Sequence, residues 1–194
     1  MNRWAIVAIP LMLCLVLGEA VVRQFVADRA FRKAKQRIIE YERLFLKGSN
    51  HAKRVASSIA PVGRRLRKAV KLEPHCAEYR SYLGRYYQAM ATDPSISDDR
   101  WKQLARRAVK QHEKAVKLDT LDGVYLAYLA GIQGAMARYY EALAADPALS
   151  DDERERLAEQ AIEYHKKAIE NFEEAISLNR TNKFIQLLYD AYRE

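Results

Sequence analysis

The chain has 194 residues, a hydrophobic fraction of 49%, a formal net charge of +8 and only 7 Gly and 5 Pro. This length accommodates one domain with a substantial core, but not two domains together with a membrane segment. Because turn residues are scarce and no stretch alternates apolar with polar residues, composition argues against a sheet and predicts an all-α fold.

An apolar run at 4–22 opens the chain and contains a single charged residue, Glu19. About twenty apolar residues span a bilayer core as a helix, so the run predicts a transmembrane anchor over residues 1–22. The alternative is a cleaved signal peptide with Gly18-Glu19-Ala20 as its small-x-small site. The helical pattern continues from Ala20 to Leu46 without a break, which favours the anchor.

The charges that flank this run bear on its orientation. Only Arg3 and the amino terminus precede it, whereas Arg23, Arg29, Arg32, Lys33, Lys35 and Arg37 come after it. The positive-inside rule then places the large domain on the cytoplasmic side of a single-pass membrane protein, with a bacterial inner membrane favoured. A short N-terminus is also typical of anchors that export the remainder of the chain, so both orientations stay open.

Two sequence markers recur after the anchor and a membrane-proximal helix with its connector at 23–56. Ala-Val-Lys-Leu-Glu at 69–73 returns in related form at 115–119 and 175–179, and Asp-Pro-Ser-Ile-Ser-Asp-Asp at 93–99 returns at 146–152. The offsets are 46, 60 and 53, so each arm between markers is seven residues longer in the second copy. Seven residues are close to two helical turns and keep an apolar face in phase. The pattern therefore predicts antiparallel helical hairpins in which two paired helices have lengthened together.

Local signals give the helix boundaries. Ser97 and Ser150 each stand before a pair of acids and are predicted N-caps. The predicted helices are the anchor helix continuing to about 47, then 57–72, 76–92, 98–118, 122–145, 151–178 and 182–193.

Over 57–193 the chain resembles the tetratricopeptide repeat, a helical hairpin that stacks into a solenoid. The matching residues are Leu83-Gly84-x-x-Tyr87 in a first helix, Ala168-x-x-x-Phe172-x-x-Ala175 in a second helix, Ala108 and Ala115 with His112 in place of Phe, and Ala69 with Pro74. The periods of 46–60 residues exceed the family's 34, and Arg80 replaces the usual Trp. The resemblance implies a solenoid with lengthened helices and a role in protein binding.

The sequence offers no catalytic motif, cofactor-binding loop or metal-ligand spacing. His112 and His165 lie 53 residues apart in successive repeats, which favours packing or a solvated face over ligation. We therefore expect a protein that is not an enzyme and needs no cofactor.

Tyrosines give a candidate partner surface, since Tyr is enriched at interfaces. The candidates are Tyr79, Tyr82, Tyr86, Tyr125 and Tyr128. The alternative interpretation is that these rings form the amphipathic edge of the helical core.

Charge is distributed unevenly: residues 1–120 carry 25 Lys+Arg against 11 Asp+Glu, and residues 121–194 carry 8 against 14. Beside a membrane anchor, the basic half suggests contacts with anionic lipid headgroups or an acidic partner. The candidates are Arg29, Arg32, Lys33, Arg64, Arg65, Lys102, Arg106 and Lys110. Nucleic acid is not expected, because the acidic half would repel phosphates.

Two functions fit these features. The first is a membrane-anchored scaffold, an accessory or assembly subunit whose transmembrane helix and hairpins contact other subunits. The alternative is a peptide or protein-targeting receptor of the membrane-anchored tetratricopeptide type. Tyr82 and Arg85 stand where that family's carboxylate clamp would place Asn, which argues against the clamp version.

Overall fold

The computed structural model describes residues 3–46, 51–93 and 95–193, and it describes side chains for 17–44, 59, 61–93 and 95–193. Every regular element in this part of the chain is a helix, which confirms the all-α prediction. The helices are α1 (Arg3–Leu46), α2 (His51–Leu72), α3 (Ala77–Ala91), α4 (Asp98–Leu118), α5 (Gly123–Ala144), α6 (Asp151–Leu178) and α7 (Lys183–Arg193).

The predicted caps form as the sequence indicates. Ser97 Oγ accepts a hydrogen bond from the backbone N–H of Arg100 at 3.4 Å. Ser150 and Glu153 form a reciprocal capping box at the start of α6. One boundary prediction was wrong: α2 begins at His51 rather than near residue 57 and continues through Pro61. An interior proline costs one backbone hydrogen bond, and the helix accommodates that loss here.

The paired lengthening of the second hairpin is confirmed. Helix α5 has 22 residues against 15 in α3, and α6 has 28 against 21 in α4, so each arm is seven residues longer. Both arms had to lengthen together, because an antiparallel helix extended alone would leave its apolar face without a partner.

The helices pair as three hairpins, α1–α2, α3–α4 and α5–α6, and the same docking recurs along the chain. Helix α3 packs on α1 and α2, α5 packs on α3 and α4, and α7 packs on α5 and α6. As a result α1, α3, α5 and α7 form one row, with α2, α4 and α6 behind it.

The carboxyl-terminal part of α1 packs into the core of the helical domain. Buried side chains succeed one another along α1 at alternating spacings of four and three residues, which is the stripe expected of a helix packed on one side. They are Ala27, Phe31, Ala34, Ile38 and Tyr41. Closer to the amino terminus, Leu17, Val21, Val22 and Phe25 are all more than half exposed.

Within the part of the chain that the structure describes, no helix is both long enough and apolar enough to cross a membrane. The side chains of residues 1–16, most of the predicted anchor, lie outside that part.

Small residues allow α3 and α4 to approach closely. A Cβ at Gly84 would lie 2.5 Å from Nε2 of His112, whose ring is completely buried. Aligned from the helix ends, His112 in α4 corresponds to Phe172 in α6, which is also buried. His165, aligned with His112 from the helix starts, is only half-buried and binds Glu141 and Tyr192. In α4, His112 occupies both of these aligned positions at once. In α6, which is seven residues longer, the two positions are held by different residues, His165 and Phe172.

Candidate partner-binding groove

A groove lies over the row of α1, α3, α5 and α7 and contains two adjoining cavities. The first, which we call the apolar cavity, measures about 290 Å³. Its walls are mainly aliphatic and aromatic groups of Tyr41, Ala89, Ala127, Gly131 and Leu188.

The second, which we call the polar cavity, measures about 330 Å³. It lies beside the amino-terminal ends of α3 and α5 and is lined by Glu78, Ser81, Tyr82, Asp122 and Tyr125. The two cavities share the side chains of Arg85, Tyr128 and Phe184, so they form consecutive parts of one groove.

Arg85 lies at the junction of the two cavities and is only 7% exposed. Its guanidinium carbon lies 4.1 Å from the ring centroid of Tyr82 and 4.8 Å from that of Tyr128. Two ring faces therefore hold the guanidinium plane, an arrangement that favours a desolvated cation.

Glu42 of α1 binds the same guanidinium with both carboxylate oxygens. Arg85 Nε donates to Glu42 Oε1 at 2.7 Å, and Nη2 donates to Oε2. Burial opposes the charge, but the hydrogen bond to Glu42 and its negative charge prevail and hold the pKa of Arg85 above its usual value. Arg85 therefore stays charged, with the Glu42 carboxylate against it as its counterion.

Three N–H groups of Arg85 remain after the two that bind Glu42. Within the described residues, none of the three donates to another protein group. Because Arg85 lines both cavities, these donors are available to whatever enters the groove.

Further polar contacts tie α1 to α3 beside the groove. Lys35 Nζ donates to Glu78 Oε1 at 2.7 Å, and the Tyr79 hydroxyl donates to Asp28. Desolvation, and after it the hydrogen bond to Asp28 and its negative charge, raises the pKa of Tyr79. Asp28, Lys35 and Glu42 are spaced seven residues apart, so they share one edge of α1. These contacts fix the position of Glu42 against Arg85.

The structure divides the five tyrosines of the predicted partner surface. Tyr82, Tyr125 and Tyr128 line the groove. Tyr79 and Tyr86 lie in the core, where Tyr86 packs against Gly63, and they line neither cavity. Tyr82 is 8% exposed and belongs both to this core and to the groove wall.

Most of the residues that line the groove were not among the predicted site residues, and Glu42, Arg85, Gly131 and Phe184 are the ones that shape it most. Glu42 and Arg85 are 43 residues apart, and no spacing rule links residues on α1 and α3. The seven-residue spacing of Asp28, Lys35 and Glu42 beside the apolar stripe of α1 was a usable signal, because it marks a polar edge facing a neighbouring helix.

The predicted basic contacts lie on three different helices. Arg29, Arg32 and Lys33 are exposed on α1 around a shallow depression that also involves Phe25 and Asp28. On α2, Arg64 and Arg65 are exposed, and on α4 the exposed members are Arg106 and Lys110. Lys102 is half-buried, with Nζ 5.6 Å from the ring centroid of Tyr139.

No group of three His, Cys, Asp or Glu side chains among the described residues is arranged to hold a metal ion. Comparison with protein-family models, with curated proteins and with solved structures finds no match.

Proposed function

We propose that the protein is a membrane-anchored protein-interaction scaffold built of tetratricopeptide-like hairpins, serving as an accessory or assembly subunit of a membrane protein complex. The observation that carries this proposal is the groove over α1, α3, α5 and α7. Consecutive cavities with aromatic and aliphatic walls are suited to the side chains of a partner segment.

Packing at the positions of the resemblance supports tetratricopeptide-like hairpins. The alanines at these positions are completely buried where helices meet, namely Ala69, Ala108, Ala115, Ala168 and Ala175. Gly84 has the same role against His112. Small residues at such contacts let helix axes approach, which a stack of hairpins requires.

The membrane part of the proposal rests on the apolar sequence at 4–22. In support, the apolar side chains of Val21 and Val22 at the end of this run and of Phe25 just after it are exposed. Exposed Arg29, Arg32 and Lys33 come next, as on helices that leave a bilayer at the level of anionic headgroups. Partner subunits would then meet both the anchor and the hairpins.

Blue-native electrophoresis of membranes extracted with mild detergent tests the scaffold. We expect the 22.4 kDa chain to migrate within a larger complex. Gly131→Leu should abolish this migration, because its side chain would enter the apolar cavity, where an added Cβ meets no atom within 4 Å.

Ala142→Leu, at an exposed position of the same helix, is the matched control and should leave the complex intact. Migration of the unaltered protein alone would overturn the proposal.

The alternative, a peptide or protein-targeting receptor, is favoured by the same apolar cavity. A receptor releases its ligand, whereas an assembly subunit stays bound through purification. Partner exchange after dilution of the extracted complex therefore distinguishes the two: exchange within minutes indicates a receptor.

A further inference from the structure

We infer that the groove binds an uncharged, apolar segment within a partner chain and selects against chain-terminal carboxylates, with Glu42 setting that choice. A large aliphatic or aromatic side chain would occupy the apolar cavity, and a backbone carbonyl beside it would accept from Arg85. This inference rests on the proposed function only in requiring that the groove bind a protein partner.

The size of the apolar cavity limits its occupant. At about 290 Å³ it lies just below the roughly 300–1,000 Å³ typical of ligand sites, so it suits one large side chain. Apart from the ion pair of Glu42 and Arg85, the described residues of its lining include no charged group. A charged side chain would lose its hydration there without gaining a counterion.

The three N–H groups of Arg85 that do not bind Glu42 can donate to an acceptor on a ligand. A bound segment that covered these N–H groups without offering an acceptor would remove their hydration at a cost in free energy, so a ligand that supplies an oxygen gains affinity. The donors face both cavities, so this oxygen would lie where a bound chain passes from one cavity to the next. A backbone carbonyl satisfies that geometry whatever the neighbouring side chain is.

The charges of the groove disfavour a carboxylate in that position. The positive charge of Arg85 already faces Glu42, and that of Lys35 faces Glu78 at 2.7 Å. Asp122 lines the polar cavity and, within the described residues, makes no ion pair. Among the described residues that line the groove, an entering carboxylate would meet three negative groups, Glu42, Glu78 and Asp122, and no unpaired cation. A neutral acceptor avoids this repulsion and still uses the hydrogen bonds.

Peptide selection tests the inference with the detergent-extracted full chain. The probe is a library of random 12-residue peptides held between linkers, so that no peptide end is free. The best binders are then synthesised with the apolar anchor residue last, in paired forms that end in an amide or in a free acid. Fluorescence anisotropy gives Kd values for the unaltered protein, Glu42→Gln, Gly131→Leu and the control Ala142→Leu.

We expect selected sequences to share one Leu, Phe or Met, and the amide to bind at least tenfold more tightly than the acid. Gly131→Leu should weaken binding at least tenfold, whereas Ala142→Leu should not change it. Glu42→Gln leaves Arg85 without its counterion and should reverse or abolish the preference for the amide.

Four results would overturn the inference: no selected peptide, tighter binding of the acid form, unchanged peptide binding in the Gly131→Leu variant, or an unchanged preference for the amide in a folded Glu42→Gln variant. If Glu42→Gln does not fold, the inference is still tested by the ratio of the Kd values for amide and acid peptides in the unaltered protein and by peptide binding to Gly131→Leu. If the complex persists in blue-native gels and any of these results is obtained, the proposed scaffold function stands and only the inferred ligand specificity is rejected.

Discussion

Protonation of His112 should destabilise the fold as the pH falls. The ring is completely buried between α3 and α5, with Nε2 3.1 Å from Gln88 Oε1 and its plane stacked on Tyr128. Desolvation, with a smaller contribution from the charge of Arg85, lowers the pKa of His112 to about 3. The folded state therefore keeps this ring neutral where the unfolded chain protonates it.

Linkage gives the magnitude of this effect. The folded state binds fewer protons than the unfolded state between the unfolded pKa of 6.5 and the folded value of about 3. Stability is complete above pH 6.5 and declines as the pH falls, by about 2 kcal/mol at pH 5 from this one group. Carboxylates titrate mainly below pH 5, so the window from pH 8 to 5 isolates the histidines.

Urea unfolding at pH 8 and pH 5 measures this loss. His112→Phe removes the titrating group and should keep nearly the same free energy of unfolding at both pH values, whatever its absolute stability. His165 is the half-buried histidine at the corresponding position of α6, and the His165→Gln variant should lose as much stability between pH 8 and pH 5 as the unaltered protein. An equal loss in His112→Phe and in the unaltered protein would refute the assignment to this ring.

Three further predictions concern packing and capping, each measured by thermal or urea unfolding. Gly84→Ala should destabilise the fold by about 1–3 kcal/mol, because the added Cβ would lie 2.5 Å from His112. Gly131→Ala meets no atom within 4 Å and should stabilise the fold by about 0.5–1 kcal/mol. Equal effects of the two substitutions would contradict the close approach of α3 and α4. Ser150→Ala removes the capping box of α6 and should cost about 1 kcal/mol, and no change would show that this cap contributes nothing. Phe172→Ala opens a void between α5, α6 and α7 and should cost about 3–5 kcal/mol, with earlier proteolysis in α7; loss of stability without cleavage in α7 would contradict its docking there.

Sequence alone was sufficient for the helices and their pairing, because both are local or periodic. Caps such as Ser97 and Ser150 act within one turn, and the seven-residue extensions preserve phase. The start of α2 was predicted about six residues too late, and the helix continues through Pro61, a residue that local rules favour in a first helical turn. A helix passing through such a residue depends on its neighbours, which no local signal reports.

The groove could be predicted only in part. Helix α3 contacts α1, α2, α4 and α5, so its tyrosines are buried on several sides and share similar sequence surroundings. Both Tyr79 and Tyr82 are buried in the core, and whether such a ring also lines the groove, as Tyr82 does, depends on where α1 and α5 lie. The pairing of Arg85 with Glu42 likewise requires the register between α1 and α3, which a single sequence does not contain.

The ion pair also couples the groove to the docking of α1. If α1 separated from α3, Arg85 would lose its counterion, and the apolar cavity would lose the wall formed by Tyr41. A ligand that needs this wall must therefore stabilise the docked state of α1, and docking of α1 must raise the affinity for the ligand by the same factor. Since α1 is one continuous helix with the predicted anchor at 4–22, a force or partner acting on that segment would change affinity in the groove. Hydrogen exchange along α1 measures this coupling: a peptide selected by the groove should slow exchange around Ala34 and Ile38. Unchanged exchange at saturating peptide would show that groove and anchor act independently.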